Sequence, residues 1–301
     1  IAEFDTKKGD VAIGGSLVLR TSDGSEHEVR FYANKYKKDE NKNFTTEESY
    51  FYQKYMDAKD NLKDIEHCTG DERPDVISIT DGNFTVNDFK GNDGNVVSTN
   101  KISAKFINKI EPKDYDSTVL EAKFEVEGII ESITDEIIKN VPTGNLVVKL
   151  MAIRQLADGF GKDATYTADS LIPIKMIVGK SMTTAFRSAG YYDGAFVKFV
   201  GSVINSVEIV ETVEKQAFGE DVIKKVKNYV RKNEIKSGNT PSTIFEHELT
   251  QEVVDAMKAK RKAALAEVKA GLSKSDHEND LPFKPQKSTE APKMTYNPFA
   301  Q

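Results

Sequence analysis

The sequence is poor in the residues that build covalent and metal chemistry. Cys68 is the single cysteine among 301 residues, so no intrachain disulfide can form and a thiolate zinc site lacks ligands. A reducing cytoplasm is the expected compartment. The four histidines are scattered; His27, His247 and His277 have no companion at a metal-ligand spacing and read as surface residues. His67 and Cys68 are adjacent and so point apart, an inert loop rather than a nucleophile with its base. No stretch approaches the ~18 apolar residues that span a bilayer, and Ile1-Ala-Glu-Phe-Asp5 has neither the basic nor the apolar part of a signal peptide. Positive charge is not in excess either: 42 basic against 48 acidic residues give a net charge of −6. That excludes a protein coated in positive field, though a local basic groove stays open. Tryptophan is absent, so any aromatic stacking falls to the 11 tyrosines and 16 phenylalanines.

Catalytic patterns are missing as well. Gly179-Lys180-Ser181 resembles the end of a phosphate loop, but Ile174 stands where the opening glycine is needed. There is no Gly-x-Ser-x-Gly elbow, no His-Glu-x-x-His and no dinucleotide fingerprint after a strand. The loop from Asp81 has Val86 where a calcium loop needs glycine and Asn92 where it needs glutamate. Neighbouring acids such as Asp135 and Glu136 arise by chance among 48. The expectation is a chain without enzymatic activity, cofactor or metal.

What is present is a β-rich pattern. Residues 10–21 and 26–36 read as a hairpin around Ser22-Asp23-Gly24-Ser25, because Asp-Gly tolerates the positive φ of a tight turn. Thr45-Thr46-Glu47-Glu48 reads as a helix start, followed by Tyr50, Phe51, Tyr52, Tyr55 and Met56 and ending near Ile65. Short strands follow at Val76–Thr80, Phe84–Asn87 and Val96–Phe106, separated by Asp-Gly turns. Residues 122–131 alternate with the period of two of a half-buried strand. Asn145–Ile153 and Ser170–Val178 repeat the signal, with a flexible Leu156–Lys162 connection between them. A short helix at 181–189, capped by Ser181 and stopped by Gly190, precedes strands at 195–205 and 207–213. The order β-β-β-α-β-β in about a hundred residues is that of an oligonucleotide-binding (OB) barrel. Beyond it, 221–232 and 244–272 read as helices. The second has a stripe of Leu249, Val253, Met257, Leu265, Val268 and Leu272, opposite a solvated face with Lys258, Lys260, Arg261, Lys262 and Lys269.

The fold class is therefore mainly β with α (α+β), an OB-fold five-stranded barrel with a β-rich N-terminal unit and C-terminal helices. The domains are 1–110, a β-rich unit with one helix; 111–218, the OB barrel; 219–272, the C-terminal helices; and 273–301, a polar flexible tail.

Binding a single strand without chemistry needs cations along the phosphates and aromatic faces under the bases. Residues 171–203 carry Lys175, Lys180, Arg187 and Lys198 against Asp193 alone, a local basic excess inside an acidic chain. Lys149, Arg154, Phe160, Lys162 and Tyr166 come from the second strand and the loop after it, and Tyr191 and Tyr192 from a turn between Gly190 and Gly194. Since strands two and three carry the usual binding face of such barrels, Lys149 and Lys175 are the foremost backbone contacts. Phe186, Phe196 and Phe199 are assigned to the barrel core.

Three segments, Phe124-Glu-Val-Glu-Gly-Ile-Ile130, Thr143-Gly-Asn-Leu-Val-Val-Lys149 and Gly194-Ala-Phe-Val-Lys-Phe-Val-Gly-Ser-Val-Ile204, resemble strands of single-stranded DNA-binding (SSB) proteins. Asp280-Leu281-Pro282-Phe283 is similar to the Asp-x-Pro-Phe that ends many SSB tails and docks into partner proteins. It departs from that pattern in being internal and in lying within a neutral tail. The layout looks most like bacteriophage SSB-like proteins. The resemblance covers roughly 119–216 plus the four tail residues. It implies sequence-tolerant binding and protection of single-stranded DNA in phage replication or recombination, in the host cytoplasm, with replication or recombination proteins as partners through the tail and no membrane association. The alternatives are a virion structural or assembly protein and a recombination-mediator interaction module. The stripe on 244–272 permits helix pairing and hence a homo-oligomer.

Overall fold

The computed structural model describes residues 1–6, 9–39, 41, 43–158, 165–214, 218, 222–242 and 249–271. Two β-units follow one another and share one topological plan. In the first, β1 (Ala2–Asp5), β2 (Val11–Arg20), β3 (Glu26–Asn34), β6 (Ile77–Lys90) and β7 (Val96–Lys109) form a sheet in the order β1-β2-β3-β7-β6. Here β3 and β7 run parallel and the other neighbours antiparallel. A small β4–β5 ribbon (Tyr36–Lys38 and Phe44–Glu48) and α1 (Tyr50–Asn61) lie between β3 and β6. The expected β2–β3 hairpin is present, and Gly24 takes φ 76° in its turn. Thr45–Glu48, expected as the start of α1, is strand β5. The two short strands expected at 76–80 and 84–87 are one strand, β6, carried past Asp81 at φ 54°.

The second unit is a closed five-stranded barrel. Its strands are β8 (Lys123–Ile138), β9 (Val141–Asp158), β10 (Thr165–Val178), β11 (Phe196–Glu214) and β12 (Val222–Gly238), in cyclic order β10-β12-β11-β8-β9. The third and fifth strands are parallel, and α2 (Thr183–Ser188) sits between the third and fourth. This is OB connectivity. The first unit repeats the same strand order and the same helix placement, but among the described residues no pairing closes β6 onto β1. The helices play matching parts: α1 buries Tyr52 and Tyr55 in the first core, and α2 buries Phe186 in the second.

The barrel corrects three sequence expectations. Residues 195–205 and 207–213 are one strand, β11, with a register shift between Val200 and Gly201. The segment expected as a helix at 221–232 is, over 222–232, most of β12, the fifth barrel strand, paired along β11 from Phe199↔Gly238 to Glu214↔Val222. Ser181 does not cap the short helix; it lies in a 3₁₀ turn, and Met182 precedes α2 without a side-chain cap. Close packing explains the glycine at 201: a Cβ there would lie 2.1 Å from the Glu234 carbonyl oxygen and 2.5 Å from the Phe124 ring.

The barrel core holds Phe124, Ile130, Leu146, Val148, Leu150, Ile174, Met176, Phe186 and Phe199. Phe186 and Phe199 are buried in the barrel core as expected, whereas Phe196 is buried outside it, against the C-terminal helix. The last described element, α3 (Gln251–Ala270), starts at Thr250, whose Oγ1 accepts from the Val253 N–H at 3.3 Å, and ends at Gly271 with φ 73°. Leu249, Val254 and Met257 pack it onto Ile129, Leu171 and Phe196 of the barrel. Arg261, expected on the solvated face, instead turns inward and forms a bidentate pair with Asp88 of β6. His27, expected at the surface, is 4% exposed. Among the described residues no helix is long and apolar enough to cross a membrane.

Candidate nucleic-acid interface

Antiparallel pairing sets Lys149 of β9 directly opposite Lys175 of β10, and both are exposed on one outward face. Like charges opposed across a ladder are unfavourable on their own. The parallel neighbour β12 adds Arg231, Lys232 and Asn233 beside them; Asn233 Nδ2 donates to the Lys175 carbonyl at 3.0 Å. Tyr229, on the same strand, is 66% exposed.

This surface forms one wall of a cleft of about 640 Å³ between the two units, within the ~300–1,000 Å³ typical of ligand sites. Lys175, Arg231, Lys232 and Tyr229 line it from the barrel, and Arg30, Lys101 and Phe84 from the N-terminal sheet. The lining thus holds five basic side chains together with Glu28 and Glu136, and Lys232 pairs with Glu234 at 3.3 Å. Hydrogen bonds span the cleft's edges. Asn205 of β11 donates from its backbone N–H to Ser25 Oγ at 3.1 Å and from Nδ2 to the Glu26 carbonyl, while its Oδ1 accepts from Arg231 Nε at 3.0 Å. Asn100 Nδ2 donates to the Pro173 carbonyl at 3.0 Å. The Phe84 ring meets Phe124 edge-on, with centroids 6.2 Å apart.

Glu136 is the cleft's fixed anion. Asn145 Nδ2 donates to it at 2.9 Å and Thr143 Oγ1 at 2.8 Å. The Asn145 bond, then that from Thr143 and the charges of Lys175 and Lys232, outweigh partial burial and hold its carboxyl below the usual range. Across the cleft, Glu28 accepts from Ser16 Oγ at 2.8 Å and pairs with Arg30 at 3.3 Å. His27 lines the cleft in the neutral form, because burial depresses its pKa more than Asp23 raises it.

The other residues singled out in the sequence are dispersed. Lys180 lies near the cleft, its N–H donating to Asn145 Oδ1 at 2.8 Å. Arg187 pairs with Asp135 at 2.7 Å, and Lys198 with Glu125 at 2.5 Å and with Glu127 at 3.9 Å. Arg154 sits opposite Ser170, near enough to Asp169 for its charge to lower that carboxyl. Tyr191 stacks on Phe186 with centroids 4.4 Å apart and donates its hydroxyl to the Asn239 carbonyl at 2.7 Å, so its ring is occupied by packing. Tyr192 is 43% exposed in the following turn. Tyr166 is placed by its backbone, paired with Ala157. Phe160, Lys162 and Asp280-Leu281-Pro282-Phe283 lie outside the described residues.

Sequence reasoning missed Tyr229, Arg231 and Lys232 because their segment reads as a helix. A signal was present: Lys224, Lys225, Lys227, Arg231 and Lys232 form a basic run with no acid between them. Nothing in the sequence marks Arg30 and Lys101, which only the pairing of two units brings to one cleft.

Solved structures similar to this chain include the single-stranded DNA binding protein from Thermus aquaticus. The wild-type structure has 11% identity and a TM-score of 0.40, covering 83% of this chain and 90% of that one. A deletion mutant of the same protein has 13% identity and a TM-score of 0.38, covering 82% and 91%. No curated protein matches the chain. The YorF family model matches residues 1–271, and the chain belongs to the YorF family.

Proposed function

We propose that the chain binds single-stranded DNA along the cationic barrel face, without sequence preference and without catalysis. One observation carries the proposal: Lys149, Lys175 and Lys232 stand side by side on three adjacent barrel strands, with Arg231 and the exposed Tyr229 at the edge of the cleft they border. In a chain of net charge −6, gathering cations on one face costs free energy until an anion occupies it. Phosphates satisfy the lysines and release counterions, and the open Tyr229 ring offers a base a stacking face worth about 1–3 kcal/mol. In phage replication or recombination such a protein would cover exposed strands.

The test is fluorescence anisotropy of labelled oligo(dT), the matching duplex and the matching RNA, each titrated at low and moderate salt. The proposal expects salt-sensitive binding of oligo(dT) that exceeds binding of the duplex, with the RNA titration fixing the sugar preference. Absence of binding by the folded protein would refute it and turn attention to an assembly or partner-binding role.

A further inference from the structure

We infer that α3 masks half of the barrel's nucleic-acid face: the apolar strip beneath the helix continues the Lys149–Lys175 surface, and with the helix lifted it takes the bases of a longer strand. The inference rests on the single-strand reading above and adds a second, covered stretch to that site. Three observations carry it.

Position comes first. Along β9 the side chains of Leu146, Val148, Leu150 and Ala152 enter the barrel core, so Lys149, Met151 and Ile153 between them lie on the outward face. Along β10 the core takes Ile172, Ile174 and Met176, which leaves Leu171, Pro173 and Lys175 outward. The ladder sets Lys149 opposite Lys175, Met151 opposite Pro173 and Ile153 opposite Leu171. One surface thus carries a cationic row followed by two apolar rows. Ile129 of β8 and Phe196 of β11 extend the middle row across the sheet. Leu249, Val254 and Met257 close over Ile129, Met151, Ile153, Leu171 and Phe196, whereas Lys149 and Lys175 stay exposed. Strands two and three present this same face to single strands in OB barrels.

Independence comes second. The α3 side chains form a cluster with the outward residues alone, separate from the core of Phe124, Ile130, Leu150 and Phe199. The barrel is closed through β10 and β12, and its interior is filled without the helix. Contiguous apolar rows on the outside of such a barrel mark a binding surface, and here the chain covers that surface itself.

Attachment comes third. Val254, Met257 and Arg261 fall on one stripe of α3. Beside it Lys260 Nζ donates to the Asp169 carbonyl and to Asp169 Oδ1, both at 3.3 Å, and Arg261 pairs with Asp88 of the N-terminal unit. Both units therefore hold the cover in place, at the end of the open cationic row.

The experiment uses the full chain and an oligo(dT) length series, read by anisotropy at low salt. Wild type is compared with Val254→Asp/Met257→Asp, which puts two charges into the apolar contact, and with Ala256→Asp/Ala259→Asp, which puts the same charges on exposed positions of α3. Hydrogen exchange along Gln251–Ala270 reports whether the helix has left the barrel. The covered rows span ~13 Å of strand, the length of about four nucleotides at a stacked spacing and fewer when stretched. The oligomer length at which affinity levels off should therefore rise by about two to four nucleotides in Val254→Asp/Met257→Asp. The gain should be confined to the longer oligomers, and Ala256→Asp/Ala259→Asp should keep the wild-type length. If the first variant does not fold, Leu249→Ala/Met257→Ala loosens the same contact without burying charge and should lengthen the footprint in the same direction. A wild-type levelling length in a folded variant whose helix has come off would overturn the mask and leave the single-strand reading standing. Wild-type protein that binds no oligo(dT) would overturn both.

Discussion

The Asp88–Arg261 pair joins the C-terminal helix to the N-terminal unit, and its removal should have a large, non-additive effect. Their side chains are only 12% and 10% exposed. Arg261 Nη2 donates to Asp88 Oδ1 at 2.7 Å, and Nη1 donates to Oδ2. Ser98 completes the group, donating to Asp88 Oδ1 at 2.6 Å and accepting from Arg261 Nη2 at 3.2 Å. Arg261 Nε is buried without a partner, a cost the paired nitrogens must offset. Removing either charge strands the other in a dry site, so Asp88→Ala or Arg261→Ala should each cost about 3–5 kcal/mol. The double variant removes both charges and should cost less than the sum of the singles by ~2–3 kcal/mol, the upper part of the coupling range for contacting residues. Urea denaturation of the four proteins, followed by circular dichroism, completes the cycle. Additivity within about 0.5 kcal/mol would refute the reasoning, because uncoupled sites behave that way. Acid gives a second reading. Burial alone would raise the Asp88 pKa, but the bonds from Arg261 and Ser98 and the Arg261 charge outweigh it and leave the pKa below 3.8. A depressed carboxylate stabilises the fold above its unfolded pKa and loses that contribution as pH falls through the folded value. The stability gap between wild type and Asp88→Asn should therefore hold down to pH 3.8 and close below it.

Other consequences follow from the cleft and the barrel. Glu136→Gln removes an anion beside Lys175 and Lys232, and oligo(dT) titration should show tighter binding with a steeper salt slope. Tyr229→Ala should weaken oligo(dT) binding by about 1–3 kcal/mol with an unchanged melting temperature, since the ring is exposed in the free protein. Gly201→Ala places its Cβ 2.1 Å from the Glu234 carbonyl oxygen, and thermal melting should register a loss of at least ~1–3 kcal/mol from overpacking. Phe199→Ala empties a fully buried core position and should cost about 3–5 kcal/mol in denaturant titration.

The β2–β3 hairpin, the first three barrel strands and the helix after them were legible because alternation and Asp-Gly turns are local signals. The fifth strand was not. Val222, Ile223, Val226, Tyr229 and Val230 recur at spacings a helix also favours, and β12 is a strand because β11 pairs with it residue by residue. That is a tertiary fact, and propensity yields to it. Arg261 was misplaced for a related reason: the stripe through Val253 appeared to define the buried face of α3, whereas Val254, Met257 and Arg261 turn inward. Of the candidate site, Lys149 and Lys175 were proposed from the rule that strands two and three carry the binding face, and the ladder sets them opposite each other. Arg187 and Lys198 were equally basic in sequence, but each has an acidic partner across the fold, Asp135 for one and Glu125 for the other. Arg30 and Lys101 come to the cleft only through the pairing of β3 with β7 and the placement of that sheet against the barrel, which are tertiary facts.

The proposed function places a single strand on the cationic barrel face, next to Tyr229. Photocrosslinking of an oligo(dT) carrying 5-iododeoxyuridine, followed by peptide mapping, tests it most directly, because the halogenated base couples to aromatic rings stacked against it. The account predicts crosslinks at Tyr229, lost when Lys175 and Lys232 are replaced by alanine. Crosslinks confined to exposed rings outside the cleft, such as Tyr32, Tyr36 or Tyr50 of the N-terminal unit, would contradict it.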